Sequence, residues 1–483
     1  MKKLLYTLEN LYECFPDNFT SEQVSYAKTL FYKELSLEMH KHYQGKMQTL
    51  PRVGVWGFNW LNAWYTPGVS SVSTSIRDDE TASYDLSNRG NLVAVVTDST
   101  RVLGDGDCGV SGGLGVMEGK ALLMKYLADV DGIALCINNR DAEGKADPQK
   151  IIDFVKMVSP SFGAVNLEDI SHPNCYKVLD ELRENCDIPV WHDDAQGTAC
   201  VILAGIFNSI KLVNKRLEDC KIVLLGAGAS NTTVARFLFL SGADPSKMIL
   251  FNSKGGLHKH REDIKLDSRL YQQWELCLKT NPDCIDDVPK AMENADILIA
   301  LSTPGPDVVK KEWIRSMNQK AIVFVCANPI PEIYPYAAKE AGAYIVATGR
   351  GDFPNQVNNS LGFPGILKGA LLARARKITD TMAIAASQAL ADITTKFTGV
   401  LTPDNILPLM TDHEVFAYVA EAVVQQAIED NVAKVHYEKG EVREIVLRSI
   451  NKNRELINRI NIEYPDEGVL QKILEKVIAE VKY

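Results

Sequence analysis

Nine short apolar runs constrain this chain more than any other feature. They are Leu92–Thr97, Ile133–Ile137, Phe162–Leu167, Ile188–Trp191, Lys221–Leu225, Met248–Phe251, Ile297–Leu301, Ile322–Cys326 and Ala343–Val346. Their near-continuous apolar character predicts parallel strands covered on both faces. Helix-length segments lie between many of them, so the chain should be α/β with right-handed crossovers. One long helix, Thr198–Lys215, separates two strand groups and marks a domain junction. The Gly- and Asn-rich stretch Gly349–Gly365 closes the second group, and the chain after it reads as helical. The tail Tyr437–Tyr483 is charged and helical, with a break at Pro465.

Composition narrows the classes of function. With 46% hydrophobic and 24% charged residues, the chain has material for a sizeable core and is not a disordered one. A net charge of −10 excludes a global nucleic-acid footprint. No run of about 18 apolar residues is evident, so no membrane span is expected. The opening MKKLLYTLENLYECF is interrupted at Glu9 and has no small-residue cleavage site, unlike a signal peptide. The 10 cysteines are scattered, with no Cys-x-x-Cys and no zinc spacing, as in a reducing, cytoplasmic setting.

Four stretches carry candidate chemistry. In KIVLLGAGASNTTVARF a buried strand runs into Gly226-Ala227-Gly228-Ala229 and a helix. Such a turn can cradle a pyrophosphate at the helix N-terminus, although Asn231 stands where the fingerprint wants Gly or Ala. The next strand ends in Asn252-Ser253-Lys254, without the acid that binds the ribose of NAD. A hydroxyl and a point charge there suit a 2′-phosphate, favouring NADP over NAD; the alternative is a solvated turn before the basic patch Lys254, Lys259 and Arg261.

Two carboxylate pairs, Glu168-Asp169 and Asp193-Asp194, follow two separate buried strands. Carboxylates clustered at strand ends repel one another unless a cation or proton intervenes, and oxygen donors suit Mg²⁺ or Mn²⁺. Helix N-capping is the competing reading. The loop GDGDCGVSGGLGVMEGK is glycine-rich but lacks the Walker A spacing, and Arg101 and Lys120 bracket it. A lone lysine is ordinarily a solvated group. In GRGDFPNQVNNSLGFPG, Asn358 and Asn359 fit turn and cap chemistry, or amide contacts to a ligand.

Together these pieces resemble a malic enzyme. The matching segments occur in family order: WYTPGVS from Trp64, VVTDSTRVLGDGD from Val95, VMEGKA from Val116, NLEDI from Asn166, HDDAQGTA from His192, GAGA from Gly226, CANPIPE from Cys326 and FPNQVNNSLGFPG from Phe353. The resemblance spans residues 27–435, and its spacing is similar to the small-subunit, bacterial-type branch. It implies oxidative decarboxylation of L-malate to pyruvate and CO₂ with NADP or NAD and Mg²⁺ or Mn²⁺. It also implies Glu168, Asp169 and Asp194 as metal ligands, and Tyr65 and Lys120 as the acid–base pair. Lys120 would be shifted toward neutrality and tuned by Asp193. Arg101 would bind a substrate carboxylate, as in the larger eukaryotic branch, and Asn328 and Asn359 would contact substrate or nicotinamide. Gly226, Gly228, Ala229, Asn252, Ser253, Lys254, Asn328 and Asn358 would line the cofactor site.

The resemblance further implies a malic domain over 1–192 completed by helices 359–435, a Rossmann-type domain over 193–358, and a helical extension over 436–483. It implies a homodimer whose second copy contributes Tyr65. A malolactic or oxaloacetate-decarboxylating relative is the rival enzyme, and a non-catalytic nucleotide-binding protein is the rival outside catalysis.

Overall fold

The computed structural model describes residues 4, 5, 7–460, 462 and 467–481. Two sheets organise it. The first has β1 (Leu92–Thr97), β2 (Asp131–Cys136), β3 (Ala164–Leu167) and β4 (Val190–His192), all parallel in the order β2-β1-β3-β4. The second has β5 (Ile222–Leu225), β6 (Met248–Asn252), β7 (Gly255–Gly256), β8 (Ile297–Ala300), β9 (Ile322–Val325) and β10 (Ile345–Thr348). Its order is β10-β9-β8-β5-β6-β7, parallel except for β7. All nine apolar runs are therefore strands. The tenth, β7, escapes a periodicity argument because it is a two-residue Gly-Gly arm of a hairpin on β6.

Side-chain alternation explains the layering. Val93 and Val95 of β1 enter one core while Ala94 and Val96 enter another, as period-2 geometry requires. Helices Pro148–Val158 and Asn174–Asn185 cover the second of these faces. The first face merges with the core of the other sheet, since Val93, Trp191, Leu224 and Ile299 belong to one continuous cluster. The helix Thr198–Val213 runs through that cluster. With its first turn it is long and apolar enough to cross a membrane, but 72% of its most apolar window is buried, as in a core helix. Helix Asp380–Thr398 packs on it, and helices Phe363–Leu372 and Glu414–Glu429, packed together, meet the helix Leu114–Ala128 beside the first sheet.

By compactness the chain falls into two units. Val53–Asn453 is one unit; Met1–Arg52 and Arg454–Tyr483 are the other. In the smaller unit the helix Ser21–Tyr43 starts at a Thr20–Gln23 capping box and buries Ala27, Phe31 and Leu35. Those residues meet Leu470, Ile473, Leu474 and Val477 of the helix Glu467–Val481, and Lys476 pairs with Glu34 at 2.6 Å. The expected break at Pro465 lies outside the described residues.

Candidate active site

The carboxyl ends of β3 and β4 deliver the acids. The ladder continues past β3, where the Glu168 N–H donates to Val96 O at 2.9 Å, and then breaks at Asp169, whose φ is +54°. Aspartate tolerates this left-handed geometry better than most residues. After β4 the chain makes one π-helical turn, Asp193–Gly197, before the long helix. Only glycine fits its last position, since a Cβ on Gly197 would stand 2.0 Å from Asp193 Oδ1. Widened turns of this kind recur at functional sites.

These breaks aim three carboxylates at one point. One oxygen from each of Glu168, Asp169 and Asp194 lies within 4.8 Å of the others. Asp194 Oδ2 accepts the Asp169 N–H at 2.7 Å, while the buried Asp169 Oδ2 has no hydrogen-bond partner among the described residues. Burial and the Asp194 charge raise the Asp169 carboxyl to about 7. Burial also pushes Glu168 well up, against the pull of Lys120 and with the push of Asp194 and Asp193. Both shifts come first from burial, and the neighbouring carboxylates add to it beyond what Lys120 offsets. A buried orphan oxygen in an all-oxygen donor set fits a divalent cation.

Lys120 is not a solvated lysine. It lies on the buried face of the helix Leu114–Ala128, donates to Asp193, stands 3.1 Å from Glu168, and has the Phe363 ring 4.8 Å from Nζ. Burial alone would lower its pKa, but Asp193, Glu168 and Asp194 outweigh burial and hold it above the ordinary lysine value. The expected drift toward neutrality is therefore reversed among these uncompensated carboxylates. Asp193 is fully buried and also accepts from Trp191 Nε1 at 3.0 Å.

The second sheet supplies the facing wall. Gly226 has φ +92°, and a Cβ there would stand 2.3 Å from Leu301 O. Gly228 then caps the helix Ala229–Leu240. The departure at Asn231 has a physical account: its Nδ2 donates to Leu225 O and Gly226 O at 2.9 and 2.8 Å, tying the helix to the strand end. Ser230 Oγ donates to Asp194 O at 2.8 Å, so the phosphate-type turn touches the acidic loop directly. Asn328 is exposed beyond β9, with its carbonyl against Gly104 of the glycine-rich loop. Asn359 is half-buried beside Gly197, whereas Asn358 Oδ1 is taken up in capping Ser360 at 3.0 and 2.8 Å. Asn252, Ser253 and Lys254 form the tip of the β6–β7 hairpin.

Two candidates stand differently. Arg101 is exposed, its backbone N–H bonded to Asp169 O at 3.0 Å and its charge easing the Asp169 carboxyl down. Tyr65 is 73% exposed, and among the described residues no hydrogen bond or ion pair joins its side chain to Lys120 or the acids. Sequence reasoning missed Asn166, Trp191 and Phe363. Asn166 Nδ2 donates to Glu168 Oε2 at 3.0 Å, and strand alternation, which puts i and i+2 on one face, was the available signal.

Comparison with known proteins agrees with this geometry. Residues 58–183 match the family model "Malic enzyme, N-terminal domain" and residues 195–428 match "Malic enzyme, NAD binding domain". A crystal structure of an Entamoeba histolytica malic enzyme superposes with a TM-score of 0.96 at 56% identity, over 100% of both chains. The bifunctional malic/malolactic enzyme of Bacillus subtilis is 40% identical over 85% of this chain and 97% of its own. The NAD-dependent malic enzyme of Geobacillus stearothermophilus is 41% identical over 81% of this chain and 79% of its own. Relatives named NADP-dependent match at 34–39% identity. The acidic cluster, its buried lysine and the dinucleotide turn therefore sit in a chain that belongs to the malic enzyme family.

Proposed function

We propose that this chain oxidatively decarboxylates L-malate to pyruvate and CO₂, with NADP⁺ preferred over NAD⁺ and with Mg²⁺ or Mn²⁺ required. The observation that carries this reading is the pairing of Lys120 with Asp193 beside the clustered carboxylates of Glu168, Asp169 and Asp194. Those three acids would hold the cation, which supplies Lewis acidity where the enolate of decarboxylation develops. The backbone of Gly226–Ala229 would hold the pyrophosphate of a dinucleotide at the N-terminus of a helix, and the cofactor would supply the hydride acceptor.

The chain's own groups handle protons and position. Lys120 Nζ takes the proton from the C2 hydroxyl of malate. A dication held by the neighbouring carboxylates would loosen their hold on its ammonium. Asp193, fixed by Trp191, holds Nζ in place. Arg101 binds a carboxylate of the substrate, and Asn328 and Asn359 meet substrate or nicotinamide. Tyr65 protonates C3. Its exposure, in a segment that also exposes Trp56, Phe58, Trp60 and Trp64, supports delivery from a second copy in a homodimer.

The test is a spectrophotometric assay with L-malate and Mn²⁺, run with NADP⁺ and NAD⁺ in parallel, with pyruvate quantified. Reduced cofactor equal to pyruvate is the expected result, and a higher kcat/KM with NAD⁺ would reject the cofactor preference. The Bacillus subtilis relative favours one second reading, malate-to-lactate conversion. Lactate formed without net reduced cofactor would establish it.

A further inference from the structure

The Asn252 amide has a fixed direction. Its Oδ1 accepts from Lys254 N at 3.0 Å and from Arg261 Nη1 at 3.1 Å. Both partners are donors only, so the oxygen must face them and the NH₂ must lie on the opposite edge. Among the described residues, that NH₂ has no hydrogen-bond partner.

Arg261 does not belong to an exposed basic patch, as its sequence neighbourhood suggested. It is 8% exposed and lies under the hairpin, where Nη1 also donates to Gly255 O and Gly256 O at 3.3 and 3.0 Å. Its other edge is locked in a two-pronged pair with Asp263, at 2.8 and 2.9 Å. With its donors already committed, Arg261 has little left to give a ligand.

We propose that Arg261 is a positioning residue that sets dinucleotide preference by turning the Asn252 amide NH₂-outward. The inference rests on the dinucleotide site proposed above. Open α/β sheets bind the adenosine ribose just beyond the strand that follows the glycine turn, which here is β6. An acid at that place accepts from ribose hydroxyls. An amide held NH₂-outward donates instead, and a 2′-phosphate offers only acceptors. Ser253 and Lys254 stand beside it, with Lys254 Nζ 3.4 Å from Asp263. Arg261 thus acts through Asn252 rather than by touching the phosphate.

The test is a double-mutant cycle. The ratio of kcat/KM for NADP⁺ to that for NAD⁺ is measured with L-malate and Mn²⁺ in the wild type, Arg261→Met, Asn252→Ala and the double variant. Arg261→Met should lower the ratio by about tenfold, the scale of one hydrogen bond to a charged group, mainly through KM for NADP⁺. In the Asn252→Ala background the same substitution should move the ratio less than about twofold. An unchanged ratio in Arg261→Met, or equal shifts in both backgrounds, would overturn the proposal. Thermal melting checks folding, and Arg261→Lys, which keeps a charge but loses the fork, serves if the methionine variant does not fold; it should shift the ratio the same way. A wild type that prefers NAD⁺ would reject the cofactor reading, while the coupling between Arg261 and Asn252 would still decide this one.

Discussion

The carboxyl ends of the two sheets solve opposite problems. The first gathers Glu168, Asp169, Asp193 and Asp194, two of them paired with one lysine, and among the described residues leaves Asp169 Oδ2 without a partner. The second also buries an acid, Glu332, but saturates it: Ser302 N and Oγ donate to one oxygen at 2.8 and 3.2 Å, and Ala327 N donates to the other at 3.0 Å. In the proposed function a cation completes the first end. The second is finished from within and presents backbone to an anion. Side chains carry the chemistry at one end, and conformation carries it at the other.

The sharpest way to break this contrast is Lys120→Ala. If the first end works through its side chains, kcat should fall by at least about 10²-fold, the usual scale of a general base. Turnover near the wild-type value, with fold and metal binding intact, would remove Lys120 from the reaction. A related experiment asks whether that end is completed by a second copy. Tyr65→Phe and Lys120→Ala proteins, each nearly inactive, are mixed, dissociated and reassociated. Hybrid dimers would own one intact site, returning about a quarter of wild-type activity for random pairing of a symmetric dimer. No recovery, with hybrids shown to form, would place Tyr65 within its own subunit or outside the mechanism.

Metal titration sharpens the same comparison. Mn²⁺ at about 100 times its Kd should stabilise the folded chain by about 2.7 kcal/mol, seen as a higher melting temperature. Asp194→Asn should remove most of that gain and also make the metal-free protein more stable, because one of the repelling anions is gone. An equal Mn²⁺ shift in wild type and variant would move the cation elsewhere.

How far the sequence reached follows the same division. Apolar runs announced the strands because burial on both faces leaves a local pattern, although the edge strand β2 is only half-buried and exposes Ile133; β7 left none, being two glycines long. The acids were visible because carboxylates at two strand ends are costly and hence conspicuous. Lys120 was not, since nothing local separates a buried lysine from a solvated one, and only the family resemblance named it. Its Phe363 neighbour arrives from a helix far along the chain. Arg261 misled for the same reason, because its partners Asn252, Gly255 and Gly256 are set by a hairpin that periodicity does not show. The tail read as helical, but its pairing with the helix Ser21–Tyr43 is a tertiary fact that no local pattern carries.

Glu332→Gln is the mildest probe and tests the finished end. Burial raises the Glu332 carboxyl while the donations from Ser302 and Ala327 pull it down. Glutamine keeps one accepting oxygen for Ser302 but turns an NH₂ toward the Ala327 N–H, so two donors face each other. A loss of about 1–3 kcal/mol of stability is expected. Since Ala327 precedes Asn328 and Ser302 follows β8, loosening this clamp should raise KM for the dinucleotide several-fold, roughly 1 kcal/mol of binding. The Mn²⁺-induced rise in melting temperature should stay as in the wild type, because Glu332 shares no partner with the acidic cluster. If the metal response fell together with dinucleotide affinity, the two ends would be one coupled device, and the contrast between them would have to be given up.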